Sequence, residues 1–174
     1  MNPQVPQLIA SDVCLNCPVC CRFPEKQSPL SPFFFPEERA EIEHLQLPSN
    51  FFRDSSSETK AALTTCQHGY QCSFFHHADH TCQIYHARPL DCSIYPVVVM
   101  WNPNQTGILI GLDTKCPEIQ SEKESTRIPA YLDWIQNYLE QPLKSQLIAS
   151  HLSFVAPFQE EVILTRPLSI QKGN

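Results

Sequence analysis

The stretch Cys14-Leu-Asn-Cys17-Pro-Val-Cys20-Cys21 is the part of the sequence that decides the fold. Its first C-x-x-C step lets two thiolates converge on one metal ion from a tight turn, which Pro18 supplies. A third cysteine at the same interval gives the C-x-x-C-x-x-C spacing of iron–sulfur binding runs. Because adjacent side chains point apart, Cys20 and Cys21 serve different metal centres, or one is a ligand and the other packs in the core.

A second, more widely spaced set of cysteines follows the first. Its members are Cys66, Cys72, Cys82, Cys92 and Cys116. Two tetrahedral sites need eight ligands and one four-cysteine cluster needs four. The 9 Cys and 7 His of the chain are enough for either arrangement. The alternative is that several of these thiols are small buried hydrophobic side chains, which explains a single cysteine better than so dense a set.

The N-terminal segment indicates the compartment in which the thiols act. Residues 1–13 contain no Lys or Arg and no apolar run, so they lack the pattern of a secretory signal. No stretch of the 174 residues approaches the ~18 apolar residues that cross a bilayer. We therefore expect a cytoplasmic protein whose thiols stay reduced. The alternative is an extracellular protein held by disulfides, but the missing signal and the odd number of cysteines count against it.

The charge pattern argues against nucleic acid as the main partner. The chain has 12 Lys+Arg against 18 Asp+Glu, a formal net charge of -6, and its basic residues are scattered from Arg22 to Lys172. No basic stripe is present to neutralise phosphates. With only 4 Gly, the sequence also lacks the G-x-S-x-G, Walker and dinucleotide-binding motifs. We expect neither nucleic acid nor a membrane as a partner, leave a protein partner open and assign no catalytic residue.

A long string around the second set of cysteines carries a family resemblance. It reads Cys82-Gln-Ile-Tyr-His-Ala-Arg-Pro-Leu-Asp-Cys-Ser-Ile-Tyr-Pro96, with Cys72-Ser-Phe-Phe before it and Cys116-Pro117 after it. Together with the first run, it resembles the YkgJ-type cysteine-cluster family, which is described as a zinc- or iron-chelating domain. The resemblance covers about residues 12–118. It implies metal ligation by the eight cysteines that match the family pattern: Cys14, Cys17, Cys20, Cys21, Cys72, Cys82, Cys92 and Cys116.

Other residues of this region have no fixed role at this point. Cys66 is extra to the family pattern. Imidazole is a good zinc ligand, but eight matching thiols already fill two four-ligand sites, which leaves little need for a histidine. The histidines concerned are His76, His77, His80 and His86.

Arg88 has two interpretations of equal weight. Pro89 pushes Arg88 towards an extended conformation. In the first interpretation its guanidinium offsets the negative charge of neighbouring thiolates and donates hydrogen bonds to sulfur. In the second it pairs at the surface with Asp91 or another acid.

The remaining patterns predict an α+β fold of short elements that is stabilised by metal. Pro36-Glu37-Glu38 begins a helix that runs to about Leu45, with Ala40, Ile42 and Leu45 available for packing. Phe33–Phe35 is a short buried strand. Residues 94–101 and 106–112 flank the turn sequence Asn-Pro-Asn-Gln, which predicts a β-hairpin.

The C-terminal part predicts helix. Apolar residues recur there at three- and four-residue spacing, at Ile128, Tyr131, Leu132, Ile135, Tyr138 and Leu139. We expect a cysteine-cluster metal-binding domain over residues 12–118 and a C-terminal helical extension over residues 119–174 that packs on it. The polar stretch 49–65 is expected to be a surface loop with a short helix, and the stretch 66–82 to be irregular.

Two functions are consistent with these patterns. The first is a metal-binding protein that holds zinc or an iron–sulfur cluster on its cysteines. The alternative is an iron–sulfur redox enzyme or electron-transfer component, which rests only on the spacing of residues 14–21. An all-sulfur ligand set suits either metal, so ligand type does not decide between them.

Overall fold

Helices and strands both contribute to the fold, in many short pieces. The computed structural model describes residues 5–17, 19–55, 58–76, 78–121 and 125–170. Within them the predicted α+β class is confirmed. Contacts along the chain divide it into two compact units, Ile9–Ser93 and Met1–Leu8 with Ile94–Asn174. The predicted domains, residues 12–118 and 119–174, stay a prediction. In the described part of the chain, no helix combines the length and apolar character needed to span a bilayer.

Short antiparallel strands dominate the unit Ile9–Ser93. Its elements are α1 (Ser11–Leu15), β1 (Arg22–Phe23), β2 (Phe33–Phe34), α2 (Pro36–Glu43), β3 (Phe52–Asp54), β4 (Thr59–Ala61), β5 (Leu63–Cys66), β6 (Gly69–Cys72), β7 (Phe75–His76), β8 (Thr81–Cys82) and α3 (Leu90–Ile94). The strands form two three-stranded sheets, in the orders β1-β6-β5 and β2-β4-β3, and the pair β7-β8. Single 3-10 turns at Val19–Cys21, Ser49–Phe51 and Tyr85–Ala87 connect some of these elements.

A shared apolar cluster stabilises these short elements. Its buried members are Phe23, Phe34, Ile42, Phe52, Ala61, Leu63, Cys72, Phe74, Phe75 and Ile84. Phe52 packs edge-on against Phe34 and Phe74, with ring centroids 5.1 Å apart in both pairs. Aromatic pairs in this geometry add about 0.5–1.5 kcal/mol each beyond area burial. Strands this short are therefore held by the core they share more than by their own hydrogen bonds.

The sequence around α2 folds largely as predicted. Phe33–Phe35 is buried, α2 begins at Pro36, and Ile42 is fully buried against the cluster. The helix ends earlier than expected, at Glu43. Leu45 lies beyond that end and is exposed, and Ala40 is exposed as well, so the predicted packing of these two residues is wrong.

The expectation of a loop over residues 49–65 and of irregular structure over 66–82 is wrong. After the 3-10 turn Ser49–Phe51, the described residues of both stretches contain the strands β3 to β8. Each strand is only two to four residues long, which is too short for the alternating pattern that identifies a strand in a sequence. In addition, polar side chains such as Thr64 and Thr65 occupy exposed strand positions, opposite Gln71 and Tyr70 of β6.

The second unit contains the predicted hairpin and helix. Its elements are β9 (Val97–Trp101), β10 (Ile108–Asp113), α4 (Pro117–Ser121), α5 (Arg127–Leu139), α6 (Pro142–Ser150) and β11 (Val162–Leu168). β9 and β10 pair antiparallel, so the hairpin is confirmed. The amphipathic helix is confirmed as α5, because all six apolar residues that predict it are buried. β11 pairs with β10, so the C-terminal extension adds a third strand to this sheet.

Gly111 lies where β11 comes closest to β10. The register between these strands shifts between Ile110 and Leu112. A Cβ atom at Gly111 would lie 2.5 Å from Cγ1 of Val162 and 2.9 Å from the carbonyl oxygen of Ile163. The backbone oxygen cannot move away without distorting β11, so only glycine fits at this position.

We expect Gly111→Ala to lower the free energy of unfolding by about 1–3 kcal/mol, the usual cost of overpacking a well-packed site. Urea denaturation measures the change. Gly107→Ala is the matched control in the same hairpin, because its Cβ would meet only the Asn102 side chain, at 3.4 Å. An equal loss of stability in both variants would contradict this account of Gly111.

Candidate metal centre

The cysteines lie on different elements of the two units. None of the nine forms a disulfide. Cys14 is in α1, Cys17 follows it, and Cys20 and Cys21 share the 3-10 turn Val19–Cys21. Three more lie in the same unit beyond this turn, at the ends of β6 and β8 and in α3: Cys72, Cys82 and Cys92. Cys66 ends β5, and Cys116 lies in the other unit, directly before α4.

Five of these thiols are electrostatic neighbours. The hydrogen bond with the Cys20 side chain, burial, and the charges of Cys20, Cys72 and Cys92 hold the pKa of Cys21 well above its ordinary value. Burial raises the pKa of Cys72 to about 12, with further contributions from Cys82 and Cys20. Burial, and the charge of Cys20, also raise the pKa of Cys82. The structure thus brings together residues that lie up to 72 positions apart in the chain.

The pKa of the Cys92 thiol is raised in the same way. Burial raises its pKa well above the ordinary value, and the charges of Asp91, Cys72, Cys82 and Cys20 act in the same direction. Like charges disfavour each other's ionised forms, and an apolar environment disfavours any charge. At neutral pH the buried thiols are therefore protonated, and a bound cation is what would favour their thiolates.

The apolar cluster of the unit supplies this environment. Cys72 is a buried member of the cluster, and Cys21 and Cys82 pack against it. A low-dielectric surrounding strengthens any interaction between a cation and a thiolate. The same cluster therefore stabilises the fold and surrounds or contacts three of the five thiols.

Arg88 lies beside this group. Its Cζ atom is 4.3 Å from the centre of the Tyr85 ring, and its charge acts to lower the pKa of Cys82. Asp91, its alternative partner, instead accepts a hydrogen bond from the backbone N–H of Phe33. The structure therefore favours the interpretation in which Arg88 offsets thiolate charge.

The carboxylates of Glu38 and Asp91 form hydrogen bonds that connect the segment carrying Cys92 to other elements. Oε1 of Glu38 accepts from the Leu90 N–H at 2.8 Å, while its Oε2 accepts from the Phe35 N–H at 3.0 Å. Oδ2 of Asp91 accepts from the Phe33 N–H at 2.9 Å. Burial raises the pKa of Asp91 to about 6, against the opposing effects of the Phe33 hydrogen bond and the charge of Lys60. These contacts join the start of α3 to β2 and α2.

We expect Glu38→Gln to destabilise the protein by about 1–3 kcal/mol, because an amide keeps one acceptor oxygen and leaves one of the two N–H groups unsatisfied. The free energy of unfolding measures the change. Glu37→Gln is the control, since Glu37 lies in the same helical turn and is exposed. If both variants unfold at the same denaturant concentration, the two hydrogen bonds of Glu38 do not have this role.

The sequence indicated only half of the role of Glu38. An acid at the third position of a helix is typical of a capping box, which accounts for the bond to Phe35. The bond to Leu90 spans 52 residues and has no local signal. The same holds for Asp91, whose bond to Phe33 spans 58 residues.

Cys14 and Cys17 are predicted ligands, whereas Cys66 is extra to the family pattern. Cys14 and Cys17 precede the 3-10 turn, and Cys66 lies at the far end of the β5–β6 hairpin from Cys72. None of the three is among the largest influences on the pKa values of Cys21, Cys72, Cys82 and Cys92. Metal ligation stays a prediction for all eight cysteines of the family pattern.

The histidines have other contacts. Nδ1 of His76 lies 2.8 Å from Oδ1 of Asp79 in an exposed hairpin, and His86 packs edge-on against Tyr85. His80 adopts a left-handed conformation, and its ring packs edge-on against that of Phe75. His77 lies outside the described residues.

The donor chemistry of the group fits zinc or iron, but its sulfur atoms have not converged. Soft thiolate ligands suit zinc and iron–sulfur clusters. Among the residues that the structure describes, no three His, Cys, Asp or Glu side chains are close enough together to hold a metal ion. Coordination therefore requires the sulfur atoms to move closer together than they lie here.

Comparison with known families agrees with the motifs. The family described as "CxxCxxCC: Putative zinc- or iron-chelating domain" matches residues 13–127. Neither the curated proteins nor the solved structures gave a match. The matched segment contains all nine cysteines and covers more than half of the chain. The chain therefore belongs to the CxxCxxCC family, the YkgJ-type family that its cysteine motifs predict.

Proposed function

We propose that this protein binds zinc or iron through thiolates of its cysteine set. The candidate ligands are the eight cysteines that match the family pattern: Cys14, Cys17, Cys20, Cys21, Cys72, Cys82, Cys92 and Cys116. The observation that carries the proposal is the group of five neighbouring thiols at residues 20, 21, 72, 82 and 92. The family description, which speaks of chelation, supports it as well.

The electrostatics of the group support a cation as its ligand. Neutral thiols packed in an apolar cluster lose their protons when a metal ion binds, so affinity rises with pH. A dication with four thiolates carries a net negative charge, which a neighbouring guanidinium offsets. Arg88 is in a position to do so, because its charge already acts on Cys82.

The alternative role, as a redox enzyme or electron-transfer component, has no support beyond the sequence pattern. It rested on the spacing of residues 14–21, and the family description speaks of chelation alone. Zinc and an iron–sulfur cluster both remain within the proposal, because thiolate ligands suit both.

A cobalt titration tests the proposal. Co²⁺ replaces zinc in thiolate sites and produces a sulfur-to-metal charge-transfer absorption whose intensity grows with the number of thiolate ligands. We expect reduced, metal-free protein to develop this band, to saturate at a whole-number stoichiometry, and to lose the band when zinc is added. A titration without a charge-transfer band would overturn metal binding by thiolates.

A further inference from the structure

A row of three polar side chains crosses the sheet β1-β6-β5. Arg22 of β1 lies directly opposite Gln71 of β6, and Gln71 lies directly opposite Thr64 of β5. Residues that face each other across two strands project to the same side of the sheet, and the next residue along each strand projects to the other side. The next residues Phe23 and Cys72 belong to the apolar cluster. The row therefore lies on the side of the sheet that faces away from that cluster.

Two atoms of this row are enclosed without a hydrogen bond. Nε of Arg22 and Oε1 of Gln71 are both shielded from solvent, and neither has a hydrogen-bond partner among the residues that the structure describes. Gln71 is only 8% exposed. A buried polar atom that makes no hydrogen bond destabilises a fold, above all when it belongs to a charged group. The two atoms thus indicate a partner that comes from solution.

The charge of Arg22 favours an anion over a water molecule as this partner. None of the ion pairs between described residues includes Arg22. The residue is half-buried, and a guanidinium in that position is stabilised by an opposite charge. A water molecule could bridge the donor and the acceptor, but it brings no charge. An anion satisfies both the hydrogen bond and the charge.

The acceptor atom of Gln71 narrows the class of anion. Its Oε1 needs a hydrogen atom from the ligand, while Nε–H of Arg22 needs a charged oxygen. Carboxylate and sulfate ions offer only acceptors at neutral pH. A phosphate monoester loses its last proton at about pH 6, so at higher pH it offers only acceptors as well. Inorganic hydrogen phosphate, HPO₄²⁻, keeps one O–H group beside its charged oxygens and matches both atoms.

The row is open to solvent at one end. Thr64 is exposed and Arg22 is half-buried, so an anion reaches the row from the side of β5. Since Nε of Arg22 and Oε1 of Gln71 have no hydrogen bond within the described part of the chain, turning them towards an anion breaks none there. The hydroxyl group of Thr64 can donate a further hydrogen bond.

We propose that Arg22 and Gln71 bind inorganic hydrogen phosphate. Arg22 donates from Nε to a charged oxygen, Gln71 accepts from the O–H group, and Thr64 donates at the exposed end of the row. Because Cys72 projects to the opposite side of the sheet, this site is separate from the thiol group. The inference goes beyond the proposed metal binding and does not depend on it.

Nuclear magnetic resonance tests the proposal on the full chain. The ¹H–¹⁵N spectrum shows the Nε–H signal of arginine and the side-chain amide signals of glutamine directly. Inorganic phosphate is titrated at about pH 7.5, where a monoester has lost its last proton, and at constant ionic strength. We expect the Arg22 and Gln71 side-chain signals to shift and to saturate. Sulfate and phenyl phosphate, titrated in parallel, should bind about tenfold more weakly or worse, because neither donates to Oε1.

Two variants separate the hydrogen bonds from the charge. Arg22→Lys keeps a positive charge but has no Nε–H group, and Gln71→Met keeps the length of the side chain but has no acceptor. We expect each to weaken phosphate binding by about 10–100-fold, as for the loss of a hydrogen bond to a charged group. Lys26→Gln is the control, because it removes an exposed positive charge from the segment that follows β1. It should leave phosphate binding unchanged.

Three results would overturn the proposal. The first is a wild-type spectrum in which the Arg22 and Gln71 signals do not shift to saturation, and this result does not depend on whether a variant folds. The second is sulfate that binds as tightly as phosphate, because the acceptor of Gln71 would then have no role. The third is a loss of phosphate binding in Lys26→Gln equal to that in Arg22→Lys, which would show attraction by net charge alone.

Discussion

Replacing Cys72 by serine is expected to abolish tight metal binding. Outer-shell partners of metal ligands change affinity by about 10–100-fold when mutated, and loss of a ligand should exceed that range. Cys72 is the most enclosed of the thiols, as a buried member of the apolar cluster that neighbours Cys21, Cys82 and Cys92. Competition with a chelator of known zinc affinity measures the change.

Two further variants isolate the loss of the ligand. Cys72→Ala leaves no hydroxyl group in the apolar cluster, so it removes the sulfur without burying a new polar group. We expect it to lose metal as completely as Cys72→Ser. Cys66→Ser changes the other end of the same β5–β6 hairpin and should keep wild-type affinity. Tight binding by Cys72→Ala would show that Cys72 packs in the core and does not bind metal.

Removal of the metal is expected to unfold the cysteine-rich part of the chain, residues 12–118. Structural zinc contributes about 10–16 kcal/mol in zinc-finger peptides, whereas a whole domain is stable by only about 5–15 kcal/mol. Loss of the metal can therefore cancel the stability of the domain. The effect should be largest in the unit Ile9–Ser93, because the five neighbouring thiols lie there.

Circular dichroism, thermal melting and hydrogen exchange of chelated protein test this expectation. Exchange should become fast in Ile9–Ser93, and β9 and β10 should follow if residues 12–118 unfold as one domain. Adding zinc back under reducing conditions should restore protection. A chelated sample with the spectrum and melting temperature of the untreated protein would show that the apolar cluster suffices without metal.

The sequence predicted the parts of the fold in which the residue pattern of an element is long or lies within one continuous segment. The helix α5 places six apolar residues on one face over three turns, and the hairpin β9–β10 has two apolar runs around a turn sequence. The strands β3 to β8 have no comparable signal, because two to four residues cannot show a period. The apolar cluster, whose members come from distant parts of the chain, stabilises the pairing of these strands.

The same distinction holds for the site. The spacing and motifs predicted which cysteines are candidate ligands, because a run of nearby residues such as Cys14–Cys21 can be recognised from the sequence alone. Which thiols become neighbours depends on how β6, β8 and α3 fold against the 3-10 turn, and no local pattern encodes that. Contacts such as those of Glu38 with Leu90 and of Asp91 with Phe33 are tertiary in the same sense.

Elemental analysis of protein purified without oxygen tests the central claim most directly. We expect stoichiometric zinc or iron in the isolated protein, with acid-labile sulfide and a brown colour if the metal is an iron–sulfur cluster. Alkylation of the same sample should find the thiols of Cys72 and Cys92 protected until a chelator is added. A folded protein that carries neither metal, with these thiols equally protected before and after chelation, would contradict the account.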